Sequence, residues 1–214
     1  MKGDKLKARL DVIFIVIGLL LLIKWISIFI LNYVQGDLTH LSWISNTGLL
    51  LAGFGFILRH TFVLSGSFVA IFLFHVFWMM DFISLSMTGS SPFGYELEFQ
   101  ALTWLEFILT THHFYLSFLL LWAVEKKKEF HSYSWVFASA LFLVSSIISF
   151  AFGNPDLNVN CAHFPCGFFD VDLLSFLHEM PYLNLLFANV FVTIVNYIPL
   201  SYALNYVFRK KYRG

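Results

Sequence analysis

Long apolar stretches alternate with short polar stretches along the whole chain. Six of the apolar stretches approach or exceed the roughly 20 residues that a transmembrane helix needs. They lie near residues 11–34, 42–58, 62–86, 100–124, 134–152 and 182–208. The second is the shortest, and Gly48, Gly53 and Gly55 interrupt it. The pattern predicts an all-α, polytopic integral membrane protein in which six transmembrane helices form a single membrane domain, residues 1–214.

The composition supports this interpretation. Of the 214 residues, 59% are hydrophobic and only 12% are charged, whereas soluble domains are typically about 45–50% apolar and about 25% charged. The formal net charge is zero, so the chain lacks the excess of positive charge that is typical of nucleic-acid-binding proteins. We therefore expect membrane lipids as partners, and no nucleic acid.

Positive charge is distributed unevenly between the two predicted faces of the membrane domain. Every lysine and arginine except Lys24 lies before the first predicted helix, between the second and third, after the fourth, or after the sixth. Because positive residues stay on the cytoplasmic side, both termini are predicted to be cytoplasmic. The first helix is predicted to be an uncleaved anchor, since no small-residue cleavage site follows it. We predict the bacterial cytoplasmic membrane, although the charge bias alone fits a eukaryotic internal membrane equally well.

The fourth predicted helix carries a polar stripe. At about 100° per residue, a spacing of 3, 4, 3 and 4 residues places five polar side chains on one face: Thr103, Glu106, Thr110, His113 and Ser117. Ionisable groups inside a span are costly and usually face a site or the bundle interior. His112 instead aligns with leucines, so we predict that it packs against a neighbouring helix, outside the site.

Polar side chains on other helices are predicted to lie at a similar depth. A rise of 1.5 Å per residue puts four groups roughly 18–22 Å from the cytoplasmic charges: Lys24, Ser45, His75 and His113. The same count puts Asp81 and Glu106 higher, at about 28–31 Å. Trp78 shares a helix face with Asp81. The pattern predicts a pocket that opens to the non-cytoplasmic side, with the four groups at its floor and two carboxylates at its rim.

These residue types together indicate acyl transfer. A hydroxyl becomes a nucleophile when a base takes its proton, which predicts Ser45 as nucleophile and His113 as base. Asn46 is predicted to donate to an oxyanion, and Asp81 or Glu106 to orient a histidine. The other polar groups are predicted to bind substrate: His75, Lys24 and Trp78. Since the pocket is reached from the bilayer, we expect a lipid ester or amide as substrate, a hydrolase or acyltransferase activity, and no cofactor.

The segments that contain these residues also resemble those of a known protein family. The segments WIS, with Ser45, and THHFYLSF, with His112 and His113, are similar in layout to the androgen-induced-protein family of multi-span lipid hydrolases. That family uses a threonine nucleophile and a histidine from a later helix on fatty-acid esters of hydroxy fatty acids. The resemblance implies Ser45, or Thr47, as nucleophile, and His113 or His112 as the histidine. The segments WISN, WMMDF, HHFYLSFLLLW and NPDLNVN also resemble uncharacterised bacterial multi-span proteins.

Two other functions fit the same polar layer. A transporter, channel or sensor would bind a proton, an ion or a small solute there, and the sixth predicted helix offers five residues to line a route: Asn189, Thr193, Asn196, Tyr197 and Pro199. Alternatively, His75 and His113 would ligate haem or a metal ion, since their predicted depths agree.

The longest predicted loop, residues 153–181, contains the two cysteines of the chain, Cys161 and Cys166. Its many apolar residues favour a segment folded back on the membrane surface as a lid. A non-cytoplasmic location permits a disulfide, so we predict that the cysteines pair. The alternative is a metal site formed by these cysteines with His163 and His178 or Glu179, but the spacing matches zinc motifs only weakly.

Overall fold

The computed structural model describes residues 2–93, 103–165 and 172–212. This described part contains only helices, turns and loops, and no strand. Eight α-helices follow one another within it: α1 (Lys2–Gln35), α2 (Ile44–Leu58), α3 (Thr61–Thr88), α4 (Trp104–Thr110), α5 (His112–Lys127), α6 (Ser134–Phe152), α7 (Pro181–Val192) and α8 (Ile198–Tyr212). The prediction of an all-α protein is therefore confirmed.

Five helical segments among the described residues are long and apolar enough to cross a bilayer. They are Ala8–Gln35, Thr61–Thr88, Trp104–Lys127, Ser134–Phe152 and Pro181–Tyr212. These segments make the chain an integral membrane protein. The second predicted span is α2, an apolar helix of 15 residues, which is shorter than the roughly 20 residues of a typical span. Six crossings therefore stay a prediction.

Helix α3 forms the centre of the bundle and packs against α2, α5 and α6. Residues 64–71 of α3 are all buried, so this part of the helix is surrounded by protein. Small residues bring the neighbouring backbones close together. A Cβ atom at Gly48 of α2 would overlap the side chain of Ile71, and one at Gly18 of α1 would lie 2.7 Å from the carbonyl oxygen of Gly53. Gly48 and Gly53 thus let α2 pack closely against α3 and α1.

The fourth predicted span is broken into α4 and α5 at Thr111. Thr103 and Glu106 cap the start of α4 by exchanging hydrogen bonds between their side chains and backbone N–H groups. At the break, the Thr111 hydroxyl donates to the carbonyl oxygen of Ile108 at 2.7 Å, a back-bond that tends to bend helices. The fourth predicted span is thus one apolar segment, Trp104–Lys127, with a break at Thr111 that the spacing of residues did not predict.

The last predicted span is also irregular. A π-helical segment, Thr193–Tyr197, joins α7 to α8 just before Pro199. Proline has no N–H to donate and clashes with the preceding turn of a helix, and π segments are one way in which helices absorb such a defect. The Tyr197 hydroxyl donates to the carbonyl oxygen of Ala70 on α3.

The loop between α6 and α7 is fastened to the start of α2. The Asn160 side chain accepts a hydrogen bond from the Ile44 N–H and donates to the Ser42 carbonyl and the Ser149 hydroxyl. Asn160 thereby satisfies an otherwise free N–H at the beginning of α2. The predicted disulfide and the alternative loop metal site both need Cys166, which lies outside the described residues, so neither is tested.

Candidate metal site

Three histidines meet inside the bundle. His75 comes from α3, and His112 and His113 come from the first turn of α5. The ring centroid of His113 lies 4.3 Å from that of His112 and 4.8 Å from that of His75. One ring nitrogen of each residue lies within 4.8 Å of the other two. His75 and His112 are fully buried, and His113 is 5% exposed.

Backbone carbonyls fix the protonation of two of the rings. His112 Nδ1 lies 3.0 Å from the carbonyl oxygen of Leu109, and His113 Nδ1 lies 2.8 Å from that of Thr110. A carbonyl oxygen can only accept, so each Nδ1 carries the hydrogen of a neutral ring and donates it. The Nε2 atom of each ring then keeps a free lone pair. Histidines that ligate metal ions are oriented in this way by their other nitrogen.

The third ring is oriented by a serine. His75 Nδ1 lies 3.0 Å from the Ser117 hydroxyl, and Ser117 lies one helical turn after His113 on α5. When the hydroxyl accepts from Nδ1, the Nε2 atom of His75 also presents a lone pair. The Nε2 atoms of His75 and His112 are buried without a hydrogen-bond partner among the described residues. Such groups are costly and rare in native proteins.

An aromatic wall borders the cluster, and a buried carboxylate follows one turn later on α3. The indole of Trp78 stacks on the His113 ring at 4.5 Å with an interplanar angle of 14°, and Trp78 is 1% exposed. Asp81 is fully buried, and its carboxylate accepts from the Ser91 hydroxyl and the Phe93 N–H. Asp81 thus fastens the turn that follows α3.

Lys24 of α1 contacts the helix break beside the cluster. Its ammonium donates to the carbonyl oxygen of Ile108 at 3.1 Å and to the Thr111 hydroxyl at 2.8 Å. The ammonium also lies 5.2 Å from the centre of the Tyr115 ring. The substrate-binding role predicted for Lys24 stays a prediction, and its described contacts are with the break.

The structure brings together some of the predicted site residues and separates others. The His113 ring contacts both His75 and Trp78. Ser45 is buried on α2, and no hydrogen bond joins it to His113 in the described part of the chain, so the catalytic pair stays a prediction. The Asn46 side chain donates to the carbonyl oxygen of His40.

Glu106 has a structural partner at each carboxylate oxygen. One oxygen accepts from the Thr103 N–H in the cap of α4, and the other accepts from the Gln35 side chain at 2.7 Å. The predicted rim role for Glu106 is not tested, but its contacts are those of a helix cap.

His112 was predicted to pack against a neighbouring helix, outside the site, and its ring centroid lies 5.8 Å from that of His75 on α3. A straight helix turns about 100° between neighbours, and that rule places His112 among the leucines. Both rings nevertheless contact His75, from the first turn of α5 directly after the break at Thr111. The signal that was missed is the pair Thr110 and Thr111 directly before the histidines, because both hydroxyls bond back to carbonyls three residues earlier.

The spacing of the rings bears on the alternative in which His75 and His113 ligate haem or a metal ion. Two axial histidines on opposite faces of a haem, with iron–nitrogen bonds of about 2 Å, have ring centroids more than about 6 Å apart. His75 and His113 are 4.8 Å apart, with no room for a porphyrin between them. A single ion with three nitrogen ligands on one side fits instead.

The interpretation of this site rests on its own geometry. The resemblance to the androgen-induced-protein family stays a prediction. Comparison of the chain with protein-family models, with curated proteins and with solved structures finds no match.

Proposed function

We propose that this integral membrane protein binds a divalent transition metal ion of the Zn²⁺ class through His75, His112 and His113. The observation that carries the proposal is the convergence of three buried ring nitrogens within 4.8 Å of one another. Imidazole nitrogen suits Zn²⁺, Cu²⁺, Ni²⁺ and Fe²⁺. Tetrahedral coordination with bonds of about 2.0–2.1 Å requires nitrogens about 3.3 Å apart, so metal binding would draw the three nitrogens closer together than the 4.8 Å within which they lie here.

The unpartnered nitrogens favour a ligand over simple packing. A histidine that only packs inside a helical bundle is expected to satisfy both ring nitrogens, because lipid and apolar side chains offer no hydrogen bond. Here Nδ1 of each ring has a partner, while Nε2 of His75 and His112 has none among the described residues. A metal ion would satisfy these lone pairs together.

The decisive experiment is a metal titration of the purified protein after chelator treatment. Co²⁺ serves as a spectroscopic substitute for Zn²⁺, because its visible absorption reports coordination by nitrogen. We expect one Co²⁺ per chain, displaced by Zn²⁺, and at least about 100-fold weaker binding in His112→Ala, which leaves two ligands. His60→Ala is the matched control, since His60 is exposed at the end of α2. Wild-type binding no tighter than that of His112→Ala would refute the site.

A lipid hydrolase is the second candidate, with a metal-activated water molecule instead of Ser45 as the nucleophile. Three protein ligands and one further position are typical of catalytic zinc sites, where the ion activates a water molecule. Among the described residues, three side chains supply ligand atoms. The test is release of fatty acid from a fluorescent lipid ester: metal-dependent activity lost in His112→Ala but kept in Ser45→Ala would favour metal-bound water, and the reverse would favour Ser45.

The number of membrane crossings and the location of the termini are also part of the proposal. Six crossings require α2 to return to the side where α1 begins. The salt bridge of 2.8 Å between Arg59, at the end of α2, and Asp11, near the start of α1, supports this return. With the lysine and arginine bias, it favours cytoplasmic termini, and we place the protein in the bacterial cytoplasmic membrane. Alkaline phosphatase fusions after residues 37, 59, 128, 153 and 212 are expected to be active only after 37 and 153.

A further inference from the structure

The short helix α4 is held in place by α1 through polar contacts. None of its residues is fully buried, and its apolar contacts are made by Leu109 with the core and by Phe107 with Phe82. At its first turn, Gln35 donates to Glu106 at 2.7 Å. At its end, Lys24 donates to the Ile108 carbonyl and to the Thr111 hydroxyl. Two side chains of α1 therefore fasten the two ends of a helix that leads directly into the histidine cluster.

The contact of Lys24 coincides with the break in the helix. The carbonyl oxygen of Ile108 accepts from both Lys24 Nζ and the Thr111 hydroxyl. Within a membrane, every backbone group needs a partner from the protein, because lipid supplies none. An ammonium group offers three donors, so Lys24 can serve the carbonyl and the hydroxyl of the break at once.

The two predicted ligands that follow the break are bonded back across it. His112 and His113 are the first residues of α5, and each Nδ1 donates to a carbonyl oxygen at the end of α4, that of Leu109 or Thr110. Their ring centroids are 4.3 Å apart. Both Nε2 atoms are thus free for a shared ion. A group that stabilises the break stabilises this arrangement.

We propose that Lys24 is a positioning residue of the histidine site. The ammonium of Lys24 stabilises the break at Thr111, and the break directs His112 and His113 toward His75. This inference rests on the proposed metal site and adds that metal affinity is controlled from α1, a helix that supplies none of the three ligands. Replacing the ammonium by an apolar group of similar length removes the donors and lets the segment relax toward a straight helix.

The test compares Lys24→Met, Lys24→Arg and Gln35→Met. Methionine keeps the length but not the donors, arginine keeps donors and charge, and Gln35→Met releases the far end of α4 as a matched control. We expect Co²⁺ binding to weaken by about 10–100-fold in Lys24→Met, the range for residues that orient metal ligands, with an altered visible spectrum. Lys24→Arg should recover much of the loss, and Gln35→Met should change affinity less than about threefold.

A second measurement separates this inference from the metal proposal. Imidazole ¹⁵N spectra of the metal-free protein report which ring nitrogen carries hydrogen. We expect the Nδ1–H form for His112 and His113 in the wild type and in Gln35→Met, and a change of form or shift in Lys24→Met. The imidazole spectra can be compared even if no Co²⁺ binds. Absence of Co²⁺ binding would refute only the metal site.

Two results would overturn the inference. One is a Lys24→Met protein with the wild-type Co²⁺ affinity, or, without Co²⁺ binding, with unchanged imidazole spectra. The other is an equal effect of Gln35→Met, which would assign the effect to docking of α4 rather than to the break. Thermal unfolding of each variant shows that the comparison is made between folded proteins.

Discussion

Two buried polar clusters in this bundle differ in whether they leave polar atoms without a hydrogen-bond partner among the described residues. The first, which we call the serine network, joins Ser42, Ser149 and Asn160 where α2 begins and α6 ends. Asn160 Nδ2 donates to the Ser42 carbonyl and to Ser149 Oγ, and the Ser149 hydroxyl lies 2.8 Å from that of Ser42. The Ser42 hydroxyl also donates to the Thr39 carbonyl. The second is the histidine cluster.

The difference lies in the groups that remain. In the serine network, each named side chain is engaged by another part of the chain, so the network stabilises the fold and needs no ligand. In the histidine cluster, Nδ1 of each ring is engaged while Nε2 of His75 and His112 has no described partner. Burial of polar groups alone therefore does not mark a site. Convergence of unpartnered lone pairs does.

The largest expected effect is stabilisation by metal. A ligand that binds only the folded state raises the free energy of unfolding by about 2.7 kcal/mol at 100 times its dissociation constant. We expect Zn²⁺ to give an increase of this size in the wild type and almost none in His112→Ala, measured by unfolding in detergent. Equal stabilisation of both proteins would mean that the ion acts elsewhere, and the comparison between the clusters would fail.

The next effect belongs to the serine network. Asn160→Gly removes three hydrogen bonds but keeps the backbone comfortable, since Asn160 has a φ of +57° that suits glycine. We expect the free energy of unfolding to fall by about 1–3 kcal/mol, with Co²⁺ affinity unchanged. Asn154→Ala is the control, because this exposed side chain accepts one local bond, and it should cost less than about 1 kcal/mol. A fall in metal affinity in Asn160→Gly would show that the clusters are coupled.

Sequence periodicity was sufficient for the helices but not for the site. The apolar runs predicted the bundle, because helices in lipid must be long and apolar. Residue spacing put His75 and His113 in one layer, and their rings are in contact. It did not indicate the break at Thr111, whose hydroxyl accepts a hydrogen bond from Lys24, 87 positions earlier. No helical rule applied to one segment contains such a contact.

A smaller effect is expected from the residue that orients His75. Ser117→Ala removes the partner of His75 Nδ1, and such orienting groups typically contribute 10–100-fold to metal affinity. We expect the low end, about tenfold or 1.4 kcal/mol, because the other two rings keep their carbonyl partners. Ser146→Ala is the matched control: its hydroxyl is buried on α6 without a described partner, and its removal should leave Co²⁺ affinity unchanged. Similar loss in both variants would indicate general loosening of the bundle.

The smallest expected effect is at Ser45. This hydroxyl is 3% exposed and forms no hydrogen bond with His113 in the described part of the chain, so Ser45→Ala should leave Co²⁺ affinity within about twofold and stability within about 1 kcal/mol of the wild type. Labelling by a fluorophosphonate, which traps activated hydroxyls, provides the second readout. Labelling lost in Ser45→Ala and in His113→Ala would show an activated serine in the same layer. A histidine of the cluster would then act as a base as well as a metal ligand. The comparison with the serine network would then distinguish a catalytic hydroxyl, that of Ser45, from structural ones.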